Sequence, residues 1–224
     1  MSDDSFIREV DEELRSERFQ EFWSKYGKIL IGVAVAIVLG TAGYRYWEHS
    51  KSTKSAAAGD SFMAAVRLAD EGKTDEAIAA FKSLEGEGGQ AYITMARLRS
   101  AAEKVVKGDD AGALKEYEII IADSKANQNM RSIARLRAGM LLVDTGSIAD
   151  VESKVNPLTA PGAAFRNSAH EALGLANYKT GKLEAAFKHF ETIVTDPGVT
   201  RAMQQRVRIM LDSIASKGGP VLKN

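Results

Sequence analysis

Hydrophobic and polar positions alternate in two different ways along this chain. From Ile29 to Tyr44 the sequence reads ILIGVAVAIVLGTAGY, with no charged residue. Sixteen residues fall short of the roughly 20 apolar residues a membrane-crossing helix needs, and the flanks supply the rest. Trp23 and Tyr26 precede the run, and Tyr44, Tyr46 and Trp47 close it. Such amphipathic rings favour the headgroup region at both membrane faces. Trp23 and Trp47 are 24 residues apart, about 36 Å of helix, which joins two interfaces. Everywhere else the apolar residues recur at spacings of three and four, the pattern of amphipathic helices. Together these predict an all-α protein: one transmembrane helix over 29–47, then a helical domain.

Two other readings of the apolar run are weaker. A cleaved signal peptide has a short basic start and a small-residue cleavage site. Here 28 residues come first, with eight acidic and five basic side chains, and the exit is YRYWEHSK. A buried core helix would not carry aromatic belts at both ends. Gly32, Ala36 and Gly40 repeat every four residues, a stripe that lets a second helix approach closely. Arg15, Arg18, Lys25 and Lys28 on one side oppose Arg45, Lys51 and Lys54 on the other, which leaves orientation unset by charge. Within the acidic tail of residues 1–28, Ile7, Val10, Leu14, Phe19 and Phe22 mark a helical face. The plain reading is a tail leading into the span. The sharper one is a surface or partner-docking helix.

After a small, polar and basic stretch over 48–58, which reads as a linker or a frayed helix start, glycines Gly72, Gly108, Gly146 and Gly181 recur at separations of 36, 38 and 35 residues. Each lies between two stretches of helical pattern. Glycine there suits a tight turn with positive φ. Ala96-Arg97-Leu98-Arg99 also recurs as Ala134-Arg135-Leu136-Arg137, at an offset of 38. Fixed-period similarity of this kind marks stacked helix pairs. The last unit, ALGLANYKTGKLEAAFKHFETIVTDP, resembles a tetratricopeptide repeat (TPR). Leu173-Gly174, Tyr178, Gly181, Ala186, Phe190 and Pro197 carry the resemblance. Unit three departs from the frame, with Val151 and Val155 where Ala and an aromatic are expected, and Asn156-Pro157 stops its second helix early. The expected domain is an α-α superhelical TPR-like solenoid over 59–216: four helix pairs plus a C-terminal capping helix from Thr200 to Ser216. A loose tail, 217–224, follows. The first helices of the units would line a groove for a protein partner through Phe62, Met95, Leu98, Leu136, Met140, Leu175 and Tyr178, with Val66, Ala102, Ile133 and Glu171 beside them.

Composition narrows the function. The 224 residues carry no net charge, no cysteine, four prolines and 33 alanines. Without cysteine there is no disulfide framework or Cys-based zinc ribbon. A neutral chain with pI ≈ 6.9 is a poor nucleic-acid binder. No catalytic constellation, P-loop or nucleophile elbow is present. His49, His170 and His189 lie singly along the sequence, without metal-ligand spacing. We therefore expect no enzyme, cofactor, metal or small-molecule substrate, and a protein partner instead. Arg97, Arg99, Arg135 and Arg137 read as solvated residues flanking a buried leucine.

The whole layout resembles the YfgM-like ancillary subunits of the bacterial SecYEG translocon. The carrying features are Lys25-Tyr26-Gly27-Lys28, the single span, its exit Gly43-Tyr44-Arg45-Tyr46-Trp47, the TPR-like units, and Val199-Thr200-Arg201-Ala202-Met203. Arg8-Glu9-Val10-Asp11-Glu12-Glu13-Leu14 is similar to the tail of alphaproteobacterial members. The resemblance implies an inner-membrane protein with a cytoplasmic N-terminus and periplasmic repeats. It also implies partners in SecYEG and a membrane-anchored periplasmic prolyl isomerase chaperone, and a role with emerging secretory chains. The rival expectation is a TPR scaffold for assembling another cell-envelope membrane complex.

Overall fold

The computed structural model describes residues 3–87 and 89–222, with side chains for 23–86 and 89–222. The face on Ile7, Val10, Leu14, Phe19 and Phe22 therefore lies outside the described side chains. Among the described residues the regular structure is helical throughout. The elements are α1 (Asp3–Asp70), α2 (Thr74–Glu87), α3 (Gln90–Lys107), α4 (Asp110–Ala122), α5 (Gln128–Thr145), α6 (Ile148–Val155), a 3-10 turn (Asn156–Leu158), α7 (Arg166–Lys179), α8 (Leu183–Val194) and α9 (Arg201–Ser216). The chain divides into two compact units, one ending at Lys54 and one beginning at Ser55. The stretch 48–58, read from sequence as a linker or a frayed helix start, is helical and contains this division.

In the first unit the apolar run is a helix with its side chains open. Ile29, Ile37 and Leu39 are each more than 60% exposed. Its most hydrophobic window has a mean hydropathy of 1.8, and the helix is long and apolar enough to cross a membrane. Thr41 donates its hydroxyl to the Ile37 carbonyl at 2.7 Å, so the hydroxyl has its partner within the helix. Gly32 and Gly40 have nothing packed on them.

The second unit is built from one crossing used four times. Ala65, Ala101, Gly139 and Gly174 stand on the first helix of successive units, and sixteen residues later come Phe81, Tyr117, Val155 and Phe190 on the second. A third position, twelve residues on, holds Ala77, Ala113, Val151 and Ala186; all these residues other than the glycines are core. The small residue lets the helices approach until the large one covers it. A Cβ added at Gly174 would sit 2.6 Å from the Phe190 ring. Unit three departs from the motif in a compensated way. Val151 is larger than alanine and Val155 smaller than an aromatic, and a Cβ at Gly139 would collide with Val155. Total volume is what such a core conserves. Leu158, in the 3-10 turn after the shortened α6, is buried at the position of Leu84, Ile120 and Ile193.

Three of the four turn glycines adopt positive φ. Gly72, Gly108 and Gly181 have φ of 75°, 83° and 76°. Gly146 does not; its backbone is extended at φ −112° and ψ −175°. Its turn is shaped by a reciprocal capping box instead, with Ser147 accepting from the Asp150 amide and Asp150 accepting from the Ser147 amide. Gly146 is there for space, since a Cβ would meet Leu142 at 2.9 Å.

Helix α9 takes the place of a first helix in a fifth unit. Arg206 and Ser213 reach Glu171 and Tyr178, each exactly one repeat, 35 residues, earlier. Its Val207, Leu211 and Ile214 are buried against α8. The face that in other units receives a second helix carries Gln205, Arg208, Ile209 and Asp212, all exposed. A largely polar end face is what closes a repeat array. The start of the expected loose tail is held. Gly219 donates its amide to Ile214, and Lys217 lies 4.4 Å over the Tyr178 ring. Lys223 and Asn224 lie outside the described residues.

The crossing makes two opposite predictions. Gly174→Ala lowers stability by about 1–3 kcal/mol through overpacking on Phe190. Gly86→Ala, in a helix with open space around it, raises stability by up to about 1 kcal/mol. Thermal unfolding followed by far-UV circular dichroism checks both signs.

Candidate partner-binding groove

The first helix of each unit turns one face onto its own second helix. The adjacent face lies along the neighbouring first helices. Helices α3 and α5, and α5 and α7, pack side by side. Lys179 on α7 donates to the Asp144 and Val143 carbonyls at the end of α5, at 2.7 and 3.2 Å. Counted from the small crossing residue, the positions six and three before it and one and four after it fall on this shared face. They are Gly59, Phe62, Val66 and Ala69 in unit one; Met95, Leu98, Ala102 and Val105 in unit two; and Ile133, Leu136, Met140 and Val143 in unit three. Unit four places Ser168, Glu171, Leu175 and Tyr178 there, and α9 continues with Met203, Arg206, Met210 and Ser213.

The structure puts the expected groove residues at equivalent positions with differing exposure. Phe62 leans on the Phe81 and Tyr92 rings, 5.6 and 6.2 Å between centroids. Leu98 and Leu136 are half-buried against the cores of units two and three. Leu175 and Tyr178 are half-buried against the α8–α9 core. Met95 is half-buried and Met140 is 38% exposed. Val105, also 38% exposed, had not been expected on this face. It stands in unit two where Tyr178 stands in unit four, so the repeat spacing alone could have found it.

The face therefore has an apolar part over units one to three and a polar latch at its C-terminal end. Glu171 accepts both Arg206 nitrogens at 3.1 and 3.2 Å. Tyr178 and Ser213 share a hydrogen bond of 2.6 Å. Lys217 and Ser213 beside the Tyr178 hydroxyl pull its pKa down, Lys217 being the larger cause. Of the motif arginines, Arg97 is paired and Arg99 and Arg137 are exposed. Arg97 makes a two-pronged pair with Glu85 at 2.9 Å, and that hydrogen bonding holds the carboxyl below its ordinary range. Lys104 meets Glu116 at 2.7 Å.

The other expected sites are simpler. Trp23, Tyr26, Tyr44, Tyr46 and Trp47 are exposed at the two ends of the apolar run. Lys51 stands 5.2 Å over the Trp47 ring and Lys25 5.7 Å over Tyr26. A hollow of about 480 Å³ at the start of α7 is lined by Pro161, Gly162, Arg166, Asn167, Ser168 and Asp196 among others. Its carboxylate is already engaged, with Asp196 accepting the Gly198 amide at 2.7 Å and facing Arg166 at 3.5 Å.

A stacked series of helix pairs with a shared first-helix face is the arrangement of TPR proteins. The family model described as a tetratricopeptide repeat-like domain matches residues 20–216. The chain belongs to that family. No curated relative and no solved structure matches it. The match covers the apolar helix as well as the repeats. TPR-like domains generally mediate protein–protein interactions.

If the latch holds α9 in place, Arg206→Ala combined with Tyr178→Phe speeds amide exchange across Arg201–Ser216. The expected change is about tenfold, and α3 and α4 stay as they are. Hydrogen-exchange mass spectrometry resolves the two regions.

Proposed function

We propose that this TPR-like protein is a membrane-anchored binding module that serves as an ancillary subunit of the SecYEG translocon. Its helix from Ile29 to Trp47 crosses the bacterial inner membrane, its N-terminus is cytoplasmic, and its repeats are periplasmic. There they receive emerging secretory chains and pass them to a membrane-anchored prolyl isomerase chaperone. The observation that carries the anchored-binder reading is one chain holding both an exposed, uncharged apolar helix and a repeat face of Val, Leu, Ile and Met. Leaving that helix in water costs about 25 cal/mol for each Å² of apolar surface. Lipid removes the cost. Unbranched, polarizable Met95 and Met140 adapt to varied apolar segments, which suits a surface meeting unfolded chains. Anchoring raises the effective concentration of the face near other membrane proteins. The translocon assignment rests on the sequence resemblance.

Topology is tested by single cysteines at Ser2 and Ser55 in a chain that otherwise has none. The proposal expects Ser55→Cys to react with an impermeant maleimide from the periplasmic side and Ser2→Cys only after the membrane is opened. Labelling of Ser55→Cys from the cytoplasmic side alone contradicts it. Binding is tested by Val105→Glu with Met140→Glu, which places charges on the apolar face. Co-purification of SecYEG falls about tenfold or more, because a buried unpaired carboxylate is costly. Lys188→Glu, on the exposed side of α8, leaves it unchanged.

A further inference from the structure

We propose that His170 and His189 form an acid-sensitive clasp between α7 and α8, closed by one shared proton and opened when both rings are charged. The sequence places these histidines singly, 19 residues apart, and the fold brings them face to face. Their Nδ1 atoms are 3.1 Å apart and their ring centroids 5.4 Å apart. The difference between those distances is what two ring radii occupy. The nitrogens therefore lie on the line joining the ring centres, and the two lone-pair directions point at each other. Two bare lone pairs in that position repel. One Nδ1–H donating to the other Nδ1 is the arrangement that satisfies them. A chelated metal needs both lone pairs aimed at a third point instead. Among the described residues no group of three His, Cys, Asp or Glu side chains is placed to hold an ion.

Proton counting gives the switch. The neutral pair holds one proton on a Nδ1 and one on the partner's Nε2. A first added proton goes to the donor ring's Nε2 and keeps the bridge. A second must go to the accepting Nδ1, which sets N–H against N–H and cation against cation. Both rings are half-buried. Burial is the main cause that holds each imidazole below its ordinary range, and for His170 the charges of His189 and Arg166 add to it. Glu152 on α6 acts the other way on His189. The unfolded chain, with ordinary histidines near pH 6.5, thus takes up protons before the folded one does. The clasp's contribution is complete above about pH 6.5 and is lost as pH falls through the lower folded values. What loosens is the C-terminal end of the array. Helices α7 and α8 form unit four, α8 packs on α9, and α7 holds α9 through Glu171 and Tyr178. None of this depends on what the groove binds.

The test uses the full chain in lipid nanodiscs. Side-chain nitrogen NMR at pH 7.5 should show one of the two rings protonated at Nδ1 and the other at Nε2. Hydrogen exchange, corrected for its intrinsic pH dependence, should rise about tenfold across α7–α9 between pH 7.5 and pH 5, with α3 and α4 unchanged. His189→Gln, which cannot take the charge, should flatten that rise, and His49→Gln should not. If His189→Gln fails to fold, the titration of the native rings still decides. Two histidines titrating independently at ordinary values, or exchange in α7–α9 that follows α3–α4, overturns the proposal. So does micromolar Zn²⁺ binding that is lost with either histidine, since the pair would then be a chelate.

Discussion

The close passage of a small residue beneath a large one is the contact on which the repeat domain depends. At Gly174 and Phe190 the helices are near enough that one methyl group would have to displace a ring. That distance sets how α7 and α8 cross, and the crossing sets which faces remain. One face meets the partner helix, and the next lies along the neighbouring first helices and stays partly open. Because the same contact recurs with Ala65, Ala101 and Gly139, the open faces line up into one surface. Unit three shows that the constraint is on volume and not on residue type. Its valines and its glycine trade space among themselves.

Two apolar surfaces follow, and they differ in kind. The stretch from Ile29 to Gly43 carries no charge and is exposed, and its one hydroxyl, on Thr41, is satisfied within the helix. Such a helix is long and apolar enough to cross a membrane. The repeat face is apolar only over three units and ends at the Glu171–Arg206 and Tyr178–Ser213 latch. A bounded apolar face beside a closed polar end is suited to holding a segment of another protein. In the proposed role the helix supplies location and the face supplies recognition. The histidine clasp would make the latched end the part that responds to acid.

Features set by neighbours in sequence were the legible ones. The apolar run, its aromatic ends and the turn glycines each lie within one helix or one turn, and the repeat period is the spacing of those turns. The end of α6 at Asn156-Pro157 was legible for the same reason. Gly146 differs from the other turn glycines because its backbone is extended and a Cβ there would meet Leu142. The Ser147–Asp150 capping box beside it is a local pattern, three residues apart. Residues 48–58 looked like a linker because small polar residues are common to linkers and to exposed helices. The likeness of Val105 to Tyr178 emerges only when every unit is aligned on its crossing residue. The meeting of His170 and His189 depends on how two helices cross, which no local pattern records.

The central claim is that the first-helix face, and not the outer side of the array, meets the protein partner. Site-specific photo-crosslinking in intact cells tests it most directly. Crosslinkers at Leu136 and Met140 are compared with crosslinkers at Lys188 and Glu191, exposed on α8. The account predicts adducts with translocon subunits or secretory chains from the first pair and little from the second. Adducts confined to Lys188 and Glu191 would contradict it.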